Sequence, residues 1–107
     1  MKNQTKAIPE GFHSLTPQLV VKGASEAIEF YSKVFGAREI TRLTAPDGKT
    51  IIHADVVIGD SHLFLVDENI GCPAGAQTFG ASPVTIHIYT EDVDGLFNKA
   101  VAAGAQV

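Results

Sequence analysis

The chain has 107 residues, of which 45% are hydrophobic, which is enough for one compact domain with a single core. Its formal net charge of −4 argues against broad attraction to nucleic acid or to an anionic membrane, because both need Lys and Arg gathered on one face. The apolar runs are far shorter than the run of about twenty residues that crosses a bilayer. The expected partner is therefore a small-molecule ligand, with no nucleic acid and no membrane.

The cysteine content and the N-terminus indicate a compartment. Cys72 is the only cysteine, so no disulfide can form within the chain, and residues 1–6 lack the apolar run of a signal peptide. Both features favour a cytoplasmic protein. No base lies close to Cys72 in sequence, which favours an incidental thiol over a nucleophile.

The first elements follow a polar tail at residues 1–14. Apolar and polar residues alternate over Leu15–Lys22, which predicts a strand. Ser25 is expected to cap a following helix, in which apolar residues recur at helical spacing until Gly36 ends it.

Three more strands are predicted to complete a βαβββ module over residues 15–67. Arg38–Thr44 and Ile51–Ile58 form a hairpin around Ala45–Gly48, where Pro and Gly favour a turn. A tight turn at Gly59 and Asp60 then leads into a strand at His62–Val66.

A second, shorter copy of the pattern is predicted beyond residue 82. Residues 68–82 are rich in Gly, Ala and Pro, which indicates a flexible connection or a flap over a site. Over residues 83–107, a strand with Val84, Ile86 and Ile88 on one face leads to a helix capped by Asp92. A shift of 68 positions places Gly36 on Gly104, since 104 − 36 = 68.

This second copy stops after its strand and helix, which predicts a truncated second module. A fragment of a longer protein is the favoured explanation, and a naturally minimal protein is the alternative. Open strand edges favour strand exchange or dimerisation, so a homodimer is expected.

The resemblance to a known family rests on short stretches of the sequence: Leu15–Val21, Ala27–Tyr31, Phe35–Ala37, Ile52–Asp55, Ile58–Ser61, Asp67–Glu68, Glu91–Asp94 and Ala100–Ala105. These stretches resemble the vicinal-oxygen-chelate superfamily, which includes glyoxalase I, extradiol dioxygenases, fosfomycin-resistance transferases and bleomycin-binding proteins. The resemblance covers residues 15–107, and within the superfamily the sequence resembles the PhnB-like branch in particular. It implies an α+β fold in which two βαβββ modules enclose a cavity, with the helices outside.

The resemblance also implies where metal-dependent relatives carry their ligands. Three of these positions fall on Thr16, Phe64 and Thr85, and the fourth lies beyond Val107. Phe64 has no donor atom, and Thr hydroxyls are poor ligands for the metals that His and carboxylates hold. No metal and no cofactor are therefore expected.

The strand faces opposite the helices are predicted to form a polar cleft that binds a ligand. His87 is the strongest candidate because imidazole binds metals and moves protons, although a hydrogen-bonded strand histidine is the alternative. Asp55 could orient His53, or the pair could form a solvated surface. The predicted ligand-binding residues are Gln18, His53, Asp55, Phe64, Thr85, His87 and Tyr89, whereas His13 and His62 are expected at the surface.

Three functions are compatible with these features. The first is a metal-independent small-molecule-binding protein of the glyoxalase/bleomycin-resistance type. The second is a metal-dependent lyase, isomerase or dioxygenase of the same superfamily. The third is an assembly module that acts through open strand edges. The pattern does not identify catalytic residues, so enzymatic activity is left open.

Overall fold

A computed structural model describes residues 6–68 and 74–107 of the chain. Cys72, and with it the interpretation as an incidental thiol, lies outside these ranges. Within them, no helix is long and apolar enough to span a membrane. The elements are β1 (Gln18–Val21), α1 (Ala24–Phe35), β2 (Arg38–Thr44), β3 (Ile51–Ile58), β4 (Ser61–Asp67), α2 (Ala76–Phe79) and α3 (Val93–Ala102).

The four strands form one sheet in the order β1-β4-β3-β2. β1 runs parallel to β4, whereas β2–β3 and β3–β4 are antiparallel pairs. A parallel pair needs a crossover connection, which begins here with α1. This arrangement confirms the predicted α+β fold and its βαβββ module.

The core lies between α1 and one face of the sheet. Ala24 and Ile28 of α1 pack with Ala54 of β3 and Leu65 of β4, and all four are buried. Side chains alternate between the two faces of a strand, so the intervening residues of β3 and β4 point away from α1. That opposite face carries the candidate site.

The N-terminus of α1 is capped by a residue far away in sequence. The predicted cap by Ser25 is wrong, because the helix begins after Gly23, which has a φ of 88°. The Oδ1 atom of Asp67 accepts hydrogen bonds from Gly23 N at 3.2 Å and Ala24 N at 2.7 Å, and its Oδ2 atom accepts one from Ile51 N at 2.8 Å. One carboxylate therefore joins α1, β3 and β4.

The second module agrees with the sequence pattern only in its helix. α3 forms as predicted, with Asp92 Oδ1 accepting a hydrogen bond from Gly95 N at 2.9 Å. The strand predicted from Val84 to Tyr89 does not form, and Val84, Ile86 and Ile88 are 61%, 45% and 39% exposed. A strand needs a neighbour for its backbone groups, and the described part of the chain pairs none with this segment.

The turn between β2 and β3 is held by Asp47. Its carboxylate accepts hydrogen bonds from the backbone N–H groups of Lys49 and Thr50, both at 2.9 Å, and from the Thr50 hydroxyl. The hydroxyl bond, followed by the backbone bonds, lowers the pKa of Asp47 from 3.8 to about 2.

Replacing Thr50 with Val is expected to raise the pKa of Asp47 towards 3.8, because the bond with the largest effect is removed. In the unaltered protein the folded pKa is the lower one, so the contribution of Asp47 to stability is present above pH 3.8 and is lost as the pH falls towards about 2. An NMR titration of the carboxyl carbon measures this shift. Thr41→Val, which removes a hydroxyl from β2, should leave it unchanged, and a pKa near 3.8 in the unaltered protein would contradict the account.

Candidate functional site

Polar and aromatic side chains form a row across three neighbouring strands, on the sheet face opposite α1. The register places Gln18 of β1 beside Phe64 of β4, and Phe64 beside Asp55 of β3. His53, two residues before Asp55, contacts Phe64 edge to face, with the ring centroids 4.7 Å apart. We call Gln18, His53, Asp55, His62 and Phe64 the site face.

Asp55 and His62 form a largely buried pair on this face. The Nδ1 atom of His62 lies 2.8 Å from Oδ1 of Asp55, and the two side chains are only 14% and 10% exposed. The prediction that His62 is a surface residue is therefore wrong. The two-residue period of β4 already places His62 on the same face as Phe64, and this signal could have identified it.

Phe12 covers the pair, although it belongs to the polar tail predicted from the sequence. Its ring stacks on the imidazole of His62 with a centroid distance of 3.7 Å and an interplanar angle of 17°. The Phe64 ring lies 6.0 Å from the same phenyl group. A turn in which Phe12 N donates to Pro9 O at 3.0 Å shapes the segment. The tail thus contributes an aromatic side chain to the site face.

The three predicted site residues of the second module lie elsewhere. Thr85, His87 and Tyr89 are exposed, and Tyr89 is 98% exposed. Their segment is not part of the sheet, so alternation along it does not place these side chains on a face of the sheet. The structure thus brings together Gln18, His53, Asp55 and Phe64, and does not bring these three to them. The ligand-binding roles of all seven stay predictions.

A cavity of about 810 Å³ follows the outer edge of β1. Its walls are β1, the side chains of Ala27 and Tyr31 from α1, and much of the segment from 74 to 86. Burial raises the pKa of Tyr31. Gln18 lines this groove and also belongs to the site face, whereas His53, Asp55 and Phe64 do not line it. The two features therefore meet at Gln18.

Glu68 holds the wall of the groove that contains α2. Its Oε1 atom accepts hydrogen bonds from Gly75 N and from the Thr78 hydroxyl, both at 2.6 Å. The Thr78 bond is the main cause of a lowered pKa of Glu68. Gly75 packs so tightly on β1 that an added Cβ would lie 2.4 Å from the Val20 carbonyl oxygen. The wall thus depends on a carboxylate and on the missing side chain of Gly75.

The residues present do not fit the metal site implied by the resemblance. Thr16 is half-buried, Phe64 has no donor atom, and Thr85 is exposed and away from the sheet. Across residues 6–68 and 74–107, no three or more His, Cys, Asp or Glu side chains form a group that could hold a metal ion.

Solved structures with a similar fold include those of TioX, FosX and a PhnB protein. TioX from Micromonospora sp. ML1 superimposes with a TM-score of 0.57 at 23% identity, covering 87% of this chain and 73% of that one. FosX from Listeria monocytogenes, complexed with Mn(II) and sulfate, gives 0.61 at 16% identity, with 88% and 73% coverage. A PhnB protein from Bacillus cereus, a putative 3-demethylubiquinone-9 3-methyltransferase by its description, gives 0.59 at 21% identity, with 81% and 72% coverage.

Sequence relatives include uncharacterized proteins of Mycobacterium bovis and Mycobacterium tuberculosis. Each is 42% identical over 98 residues, which cover 88% of this chain. They cover 64% of the first protein and 57% of the second, so the chain spans about three-fifths of the length of these relatives. Residues 11–107 match a family profile. The chain therefore belongs to the Glyoxalase/Bleomycin resistance protein/Dioxygenase superfamily.

Proposed function

We propose that the chain is part of a small-molecule-binding protein whose ligand lies on the site face and in the adjoining groove. The observation that carries this proposal is the position of Gln18, where a row of polar and aromatic side chains meets a cavity of about 810 Å³. Cavities of about 300–1,000 Å³ with apolar walls and a few polar groups are typical of small-molecule sites. The groove has this character, since Val20, Ala27 and Tyr31 line it together with Gln18.

The side chains favour a partly planar ligand with hydrogen-bonding groups. Phe64 offers an aromatic ring next to the His53 imidazole, and the amide of Gln18 both donates and accepts hydrogen bonds. The apolar wall of the groove would hold the remainder of such a ligand. Planar antibiotics and thiol conjugates are therefore suitable probes.

We further propose that binding needs no metal. The support is the set of side chains at the three readable ligand positions. Phe64 has no donor atom, and the hydroxyls of Thr16 and Thr85 are poor donors for divalent cations. Elemental analysis of the purified protein at neutral pH tests this, and a stoichiometric transition metal would overturn it. The proposal includes a cytoplasmic protein that forms a homodimer. The dimer is favoured by the outer edge of β2, which pairs with no described strand. Light scattering on the same preparation measures the mass, and a monomer would overturn the dimer.

A panel of planar antibiotics and thiol conjugates is expected to contain a compound that raises the melting temperature of the protein, because a ligand that binds only the folded state stabilises that state. Gln18→Ala should weaken the binding of that compound by about two- to tenfold, the effect of losing one hydrogen bond worth about 0.5–1.5 kcal/mol. Isothermal calorimetry measures this change. Gln106→Ala is the matched control, since Gln106 is exposed and does not line the groove. The proposal fails if no compound shifts the melting temperature, or if both variants bind alike.

A further inference from the structure

The hydrogen bond between Asp55 and His62 on the site face has a defined direction. An ionised carboxylate only accepts hydrogen bonds, so with Asp55 ionised the contact of its Oδ1 atom with Nδ1 of His62, at 2.8 Å, places the proton on Nδ1. In the neutral ring, the lone pair is then on Nε2. The carboxylate thus fixes both the tautomer and the orientation of the imidazole, an arrangement that also increases the basicity of histidine ligands in metal sites.

The other nitrogen of the ring remains accessible. Nε2 of His62 makes no hydrogen bond to a described residue, and none of the buried side-chain nitrogen or oxygen atoms in the described ranges lacks a partner. Nε2 has no hydrogen-bond partner within residues 6–68 and 74–107, and it is not among the buried unsatisfied atoms of these ranges, so among the described residues it stays open to solvent. Its neighbour in the tail is Gly11, where an added Cβ would lie 3.7 Å away. The missing side chain leaves room beside the lone pair.

The Phe12 ring shows what kind of group this place accepts. It lies nearly parallel to the imidazole, with 3.7 Å between the centroids, and it is carried by a segment outside the sheet. A planar aromatic ring from a ligand could take the same position once Phe12 moves aside. Its substituents would then approach the exposed side of the imidazole.

We propose that His62, oriented by Asp55 and covered by Phe12, accepts a proton from an aromatic ligand that carries an acidic hydroxyl. In this step the Nε2 lone pair takes the hydroxyl proton, and the electrons of the O–H bond stay on the ligand oxygen as a phenolate. The ring becomes an imidazolium whose charge faces the Asp55 carboxylate. The inference deepens the proposed function and rests on it, since it assigns an aromatic hydroxyl to the ligand of the site face.

The probe for this proton transfer is 4-nitrophenol, whose phenolate absorbs light at wavelengths at which the phenol does not. At a pH below the pKa of the free phenol, the Phe12→Ala protein is expected to produce a phenolate band that the double variant Phe12→Ala with His62→Gln lacks. Phe12→Leu, which keeps an apolar side chain, provides a second opened protein if Phe12→Ala fails to fold. Absence of the band in the folded variants, or its persistence after His62→Gln, would overturn the proposal.

Acylation by diethyl pyrocarbonate tests access to Nε2 separately. His62 should react in the unaltered protein, and about two- to tenfold faster in Phe12→Ala, because an aromatic stack is worth about 0.5–1.5 kcal/mol. His13, which is exposed, is the internal control and should react equally in both proteins. An unreactive His62 in both proteins would overturn the proposal. Failure of the proposed function is read from the Gln18 variant and the compound panel, so the two failures are distinguishable.

Discussion

Replacing Asp67 with Ala is expected to lower the free energy of unfolding by about 3–5 kcal/mol, because one change removes three charge-assisted hydrogen bonds. The carboxylate accepts from Gly23 N, Ala24 N and Ile51 N, at 3.2, 2.7 and 2.8 Å. These N–H groups lie at the start of α1 and at the start of β3, and Ala24 and Ile51 are fully buried. Urea unfolding followed by circular dichroism measures the loss.

Two further variants separate capping from general disturbance. Asp67→Asn keeps one accepting oxygen but replaces the other with an amide donor that faces an N–H group. The free energy of unfolding of this variant should lie between those of the unaltered protein and Asp67→Ala. Asp60→Ala removes an exposed carboxylate bonded to the adjacent Ser61 hydroxyl, and should change stability by less than about 0.5 kcal/mol. Equal losses in Asp67→Ala and Asp60→Ala would show that the long-range cap does not stabilise the fold.

Replacing Leu65 with Ala is expected to lower the free energy of unfolding by about 2–5 kcal/mol, through lost burial and the cavity left behind. Leu65 is fully buried in β4, the strand between β1 and β3, and belongs to the core cluster beneath α1. Neighbouring strands leave little room for the backbone to relax into the space. Chemical denaturation measures the change.

The matched control is Leu15→Ala, which removes the same atoms from a side chain that is 88% exposed. A change of at most about 0.5 kcal/mol is expected there. A loss at Leu65 no greater than the loss at Leu15 would contradict the position of the core between α1 and the sheet.

The first module could be predicted from the sequence because its signals are local. The alternation in Ile51–Ile58 predicts a strand, and the helical spacing before Gly36 predicts α1 and its end. β3 has the predicted bounds, and α1 ends just before Gly36 as predicted. The same signals in Val84–Tyr89 did not produce a strand, because alternation specifies which side chains share a face but does not supply a partner strand.

The candidate site could be predicted in part for the same reason. Alternation alone predicts that His53 and Asp55 share one face, and the register of β3 and β4 shows that Phe64, also a predicted site residue, lies beside Asp55. The sequence pattern does not single out His62, because it follows a tight turn, where exposed residues are common. The cover by Phe12 could not be predicted, since no periodic pattern connects a tail residue with a strand fifty positions away (62 − 12 = 50).

The order of the elements in the first module and the face of each strand follow from the sequence alone, because backbone preferences and side-chain period act over a few neighbouring residues. Three features are visible only in the folded chain: Asp67 caps α1, His62 is largely buried against Asp55, and Val84–Tyr89 stays outside the sheet. Each of these depends on whether a group distant in sequence comes within hydrogen-bonding or packing distance, and local periodicity carries no information on that.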